Sequence, residues 1–163
     1  MRKQVIGTAK TGVSEASGQE WFDLEAIATV ELTSENPSFP IEAALVDHRG
    51  AVLHAGRGWS AGECGPQTIT IRFDTPQKVK RVRVHFIEDE SERGQEFALR
   101  WLDAKGGKHE IVRQQWVFSP GGSTEEVEDY TVQLEGVAAV ELEIDPDRGR
   151  RVVRATLAEL RIG

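Results

Sequence analysis

The side chains best suited to hold a ligand stand in one stretch, HEIVRQQWVFSPGGSTEEVEDYTVQL, from His109 to Leu134. Arg113 and Gln115 carry planar polar groups, while Trp116 and Phe118 carry flat apolar faces, so together they offer forked hydrogen bonds and stacking. An extended backbone divides them. Val112, Gln114, Trp116 and Phe118 fall on one face, and Ile111, Arg113, Gln115 and Val117 on the other. Ser119-Pro120-Gly121-Gly122-Ser123 then breaks the strand, because Pro lacks a ladder donor and Gly accepts turn dihedrals. Past an acidic run, Tyr130, Val132 and Leu134 resume the alternation. Two readings fit this pattern: a binding rim around a Gly-rich loop, or an amphipathic hairpin in which both rings are core, the plainer of the two.

No set of residues announces bond-making chemistry. The chain lacks a G-x-S-x-G elbow, a phosphate-binding loop, an H-E-x-x-H helix and a dinucleotide fingerprint. His48 and His54 flank a glycine-containing loop, but Asp47 alone does not complete a metal set with them. Carboxylates are abundant, and no two of them are marked as a facing pair. The single cysteine, Cys64, excludes an internal disulfide and a multi-cysteine zinc site. A catalytic role is not expected.

Length and charge narrow the classes further. A chain of 163 residues is most economically one domain with a sizeable core. Its net charge of −7 opposes non-specific nucleic-acid binding, which depends on neutralising phosphates with Lys and Arg. The basic stretches Lys78–Arg83 and Arg148–Arg154 read as solvated faces, with Glu141 and Glu143 as cross-strand partners for Arg81 and Arg83. No run approaches the ~18 apolar residues of a membrane span, and the amino terminus has no apolar signal segment. A cytoplasmic protein is the expectation, with an exported one if the chain is a fragment of something longer.

The elements that must position these side chains are strands. Residues 1–20 read as a flexible arm, and 21–163 as the ordered domain. Ile27–Leu32 favours a strand, Ser34–Pro40 a loop, and Ile41–Val46 a helical turn or a strand. His48–Gly65 reads as a long loop with a short strand at Ala51–His54. Ile69, Ile71 and Phe73 alternate, Thr75-Pro76-Gln77 turns the chain, and Val82, Val84 and Phe86 alternate again. After the acidic loop EDESERG, Phe97, Leu99 and Trp101 point inward, and Asp103–Gly107 makes a hairpin turn. Val140, Leu142 and Ile144 form another strand. In the last one, Val153, Ala155 and Leu157 switch parity to Leu160 and Ile162, which implies a bulge. About eight short strands without a long helix indicate an all-β fold, an antiparallel sandwich or barrel.

The stretch GWSAGECGPQTITIRFDTPQKVKRVRVHFIEDESERGQEFALRWLDAKGGK resembles the central part of galactose-binding-like jelly rolls, the group of discoidin (coagulation-factor type C) domains and family 32 carbohydrate-binding modules. The shared order is a Trp, an alternating strand ending in a turn, a second strand, a variable loop and an aromatic-led strand closed by a tight turn. RATLAELRIG is similar to their closing strand. The likeness runs from Thr33 to Gly163 and implies a jelly-roll β-sandwich.

It also implies roles. A structural Ca²⁺ in that group sits between an early loop and a closing-strand carboxylate; Glu159 matches the second, and only Asp47 stands near the first, where the group carries an Asp-Gly-Asp type of sequence. The group's ligand loops place a histidine where His54 stands. They place an arginine in the loop where this chain has Glu88, Asp89, Glu90 and Glu92, with Arg93 as the substitute. A solvated loop is the plainer reading of both. Trp59 matches a packed tryptophan. The function so implied is a non-catalytic binding module for carbohydrate, with His54, Glu88, Arg93, Arg113, Gln115, Trp116 and Phe118 as ligand contacts. The rival is an intracellular module on the same fold that binds a protein partner.

Overall fold

A computed structural model of the chain describes residues 21–46, 56–149 and 151–163. The arm at 1–20, the short strand expected at Ala51–His54, and the site residues Asp47 and His54 lie outside them. Among the described residues the order is α1 (Leu24–Ile27), β1 (Ala28–Leu32), α2 (Glu42–Leu45), β2 (Trp59–Cys64), β3 (Gln67–Ile87), β4 (Arg93–Asp103), β5 (Lys108–Phe118), β6 (Glu125–Asp145), β7 (Arg154–Leu157) and β8 (Glu159–Ile162).

Two strands of 21 residues, β3 and β6, run antiparallel to each other along their whole length and belong to both layers of a sandwich. Their first and last halves pair so that one sheet reads β1, β3 (67–73), β6 (137–145), β4, β5. The other reads β8, β3 (79–87), β6 (125–134). Side chains of the two inner faces meet between the sheets, as the Phe86 and Phe97 rings do at 5.3 Å. Val82, Val84, Leu99, Leu142, Ile144, Leu160 and Ile162 fill the same space, all buried. A separate β2–β7 ladder flanks the sandwich. The fold is an all-β, antiparallel jelly roll.

The long strands correct the expected turn at Thr75–Gln77. The chain does not reverse there; it crosses from one sheet to the other, and the β3–β6 register slips three times between Arg72 and Arg81. Pro76 is tolerated because a slipped register leaves its missing donor without a ladder position to fill. Gly136, at φ +65°, makes the matching bend in β6. The crossing also changes the ion pairs. Arg81 and Arg83 meet Asp129, and Arg83 also Glu159, while Glu141 and Glu143 serve Arg100 in the other sheet.

Elsewhere the alternation translates directly. Asp103 Oδ1 accepts from the amides of Lys105 and Gly107 and closes the β4–β5 hairpin. The parity switch falls at Ala158, whose amide donates to the His85 carbonyl between β7 and β8. Ile41–Val46 resolves as the helical turn α2. Trp59–Cys64, placed in a loop by its small residues, is a strand because β7 pairs with it. Trp101, expected in the core, is only partly covered and stacks on His109 at 4.5 Å.

Candidate functional site

One end of the sandwich gathers the loops. β3 ends at Ile87 and β4 begins at Arg93; β5 ends at Phe118 and β6 begins at Glu125. The Glu88 amide donates to the Thr124 carbonyl, which ties these two loops together. The Arg148 amide donates to the Gly94 carbonyl and brings the β6–β7 turn to the same end.

A pocket of about 190 Å³ opens here, between β2 and the β7–β8 junction. Ile87, Ala158 and Trp59 give its lining apolar surface. Phe39 stands on the wall with 36% of its surface exposed, and its carbonyl accepts from the Ser60 amide, which seats it over β2. Ser60 and Thr156 bring hydroxyls, and the loop Gly56-Arg57-Gly58 brings a guanidinium. Both glycines have positive φ, at +85° and +90°. Gly58 has a second reason to be glycine: a Cβ there would lie 2.3 Å from the Leu157 carbonyl oxygen. The loop is therefore pressed against the β7–β8 junction, which holds Arg57 at the pocket.

The side chains expected to form the rim are dispersed by the strand geometry. Phe118 is fully buried and forms core, so it offers no stacking face; this corrects its assignment as a ligand contact. Trp116 faces inward opposite Gln95, partly buried, with its indole Nε1 covered and unpartnered. Arg113 and Gln115 point to the outer face, where both hydrogen-bond to Glu96. The four residues of the opening hairpin thus fall on two faces of one sheet, as alternation requires, and do not converge.

Arg93 and Glu88 are joined to each other. Arg93 is 2% exposed, lies 5.0 Å from the centre of the Phe118 ring, and donates to Glu88, Gln95 and the Pro146 carbonyl. Burial would raise the Glu88 carboxyl, but the Glu90 amide, Arg93 and the Ser91 amide outweigh it and hold the group below its ordinary value. These two side chains stiffen the rim loop from within; Arg93 is buried with Nε and Nη1 engaged, and both Glu88 oxygens accept from its own loop, which corrects the expectation that they hold a ligand's hydroxyls.

A second polar cluster lies between the sheets. Glu126 is 1% exposed and no donor reaches either of its carboxyl oxygens. Burial and then the neighbouring Glu128 push its pKa up to about 8, so at neutral pH it stands mostly as the uncharged acid beside Glu128. Glu128 also accepts from Gln114, and Tyr130 donates to the same carboxamide.

Glu159, the expected calcium ligand, is nearly buried and has Arg83 3.6 Å away. Among the described residues no three His, Cys, Asp or Glu side chains cluster as metal ligands. One carboxylate already facing a guanidinium does not make a Ca²⁺ site, which needs six or more oxygens. Asp47, the other half of the expected pair, lies outside the described residues, so these contacts describe the Glu159 side alone.

The pocket's own residues, Phe39, Arg57, Ser60 and Thr156, carried no site signal in the sequence. Their one trace is the Gly-Arg-Gly triplet, which looks like any loop until the β7–β8 junction is placed beside it.

No protein-family model and no curated protein sequence matches the chain. Its fold is shared with solved structures. The family 32 carbohydrate-binding module of AlyQ, in complex with 4,5-unsaturated mannuronic acid, superposes with a TM-score of 0.59 at 15% identity, over 89% of this chain and 98% of that one. A module of the same family from Clostridium perfringens, in complex with GlcNAc-α-1,4-galactose, gives 0.58 at 11% identity, over 92% and 99%. Another from that organism, in complex with GalNAc-β-1,3-galactose, gives 0.56 at 15% identity, over 83% and 94%. At these identities the likeness establishes the fold alone, the antiparallel jelly-roll sandwich.

Proposed function

We propose that this domain is a non-catalytic carbohydrate-binding module that takes one sugar ring in the pocket at the loop end of the sandwich. The observation that carries the reading is the pocket's make-up: an exposed aromatic ring, an apolar lining, two hydroxyls and a guanidinium within about 190 Å³. A pyranose has an apolar face that stacks on an aromatic ring and a girdle of hydroxyls that needs planar or hydroxylic partners. The volume is below the ~300–1,000 Å³ of sites for drug-sized ligands, which suits a single ring rather than a buried chain. The described wall carries no carboxylate, histidine or thiol to serve as acid, base or nucleophile. Sugars bound to modules of the same fold support the same class of ligand.

The test is a glycan array followed by calorimetric titration of the saccharides that bind, with Phe39→Ala as the variant. Its backbone link to Ser60 survives truncation and its ring is exposed, so the melting temperature is expected to hold while affinity falls ~10-fold or more. Absence of any saccharide binding, or wild-type affinity in Phe39→Ala, would overturn the reading.

A further inference from the structure

We infer that the sugar this pocket selects is an acidic one, a uronic-acid type of pyranose whose carboxylate pairs with Arg57. The inference rests on the carbohydrate reading above and decides between neutral and anionic ligands within it.

Arg57 is the one charged side chain on the described pocket wall, and it is exposed. Among the described residues it has no ion-pair or hydrogen-bond partner, although the chain carries 27 acidic residues against 20 basic. Arg154 is likewise exposed without an ion pair among the described residues, but several other arginines do meet a carboxylate. Arg72 meets Glu31, Arg81 meets Asp129, Arg100 meets Glu141 and Glu143, and Arg151 meets Asp147. Even Glu88, next in sequence to the pocket residue Ile87, is turned onto its own loop and Arg93. Among the described lining residues the pocket therefore presents a guanidinium and no carboxylate.

The backbone fixes that presentation. Gly56 and Gly58 bracket Arg57 in the left-handed region, and Gly58 rests on the backbone of Leu157 and Ala158. A guanidinium held in this way matches a carboxylate in a planar two-point contact. A neutral sugar seated in the pocket would cover the charge without compensating it, and covering an unpaired charge is costly. A carboxylated ring removes that penalty, leaving Ser60 and Thr156 for hydroxyls and Phe39 for the ring face.

The experiment is calorimetric titration of the full chain with galacturonic and mannuronic acids and with their neutral counterparts galactose and mannose, for the wild type, Arg57→Gln and Arg57→Lys. The acids are expected to bind ~10-fold or more tightly than the neutral sugars, with a preference that weakens as salt is added. Arg57→Gln should erase the preference at an unchanged melting temperature, and Arg57→Lys should keep part of it. Equal or better binding of the neutral sugars by the wild type, or a preference that survives Arg57→Gln, would overturn the inference and leave the carbohydrate reading standing. No binding of either set overturns this inference; the glycan array then decides whether the carbohydrate reading falls with it.

Discussion

Replacing Glu126 by Gln should stabilise this protein, and by an amount that grows with pH. Glu126 is buried beside Glu128, which accepts from Gln114, whose carboxamide in turn accepts from Tyr130. Burial and Glu128 raise the carboxyl from 4.5 to about 8. The folded state therefore holds a proton that the unfolded state releases. The stability this group contributes is fully present below about pH 4.5 and is lost as pH rises through about 8. At about 1.36 kcal/mol per pH unit, the loss by pH 7 is at most about 3 kcal/mol. Gln keeps the shape and has no proton to lose. Thermal or urea unfolding of both proteins from pH 4 to pH 9 isolates the effect, because Glu96 and Asp129, held low by hydrogen bonds from Arg113 and Arg81, titrate alike in both. The difference should be near zero at pH 4 and reach roughly 6–12 °C in melting temperature by pH 7. A gap that does not change with pH, or a variant less stable than the wild type at pH 7, would refute the argument.

Arg93→Ala should destabilise the protein by about 3–5 kcal/mol, since it leaves the Glu88 carboxylate and the Pro146 carbonyl without their buried donor; an unchanged unfolding midpoint would count against that role. Gly58→Ala should cost about 2 kcal/mol or more, because its Cβ meets the Leu157 carbonyl in a left-handed backbone, and a wild-type melting curve would show that the loop can part from β7. Chelation is expected to leave the melting temperature unchanged, with Arg83 rather than a cation beside Glu159; a fall that Glu159→Gln abolishes would place Ca²⁺ there instead.

The sandwich was legible because burial imposes a period of two on every strand it half covers. Val82, Val84 and Phe86, or Phe97 and Leu99, declare their inward face in any register. The same period told in advance that Trp116 and Phe118 share one face while Arg113 and Gln115 share the other, which is why they cannot form one rim. Alternation does not say where a strand ends when it bends instead of turning. Thr75-Pro76-Gln77 looked like a reversal, and only the β3–β6 pairing shows the chain passing from one sheet to the other.

What the sequence determined by itself is local: which side of each strand is apolar, and where Asp103–Gly107 and Ala158 interrupt it; its net charge opposes non-specific nucleic-acid binding. The tertiary structure decided which residues meet. Phe39, Arg57, Ile87 and Thr156 stand far apart along the chain, and only the packing of β2 against the β7–β8 junction brings them to one pocket. Arg93 and Glu126 show the same limit from the opposite side. A charged residue in a loop or at a strand start reads as exposed, and its burial depends on which sheet closes over it, a long-range contact that no periodicity encodes.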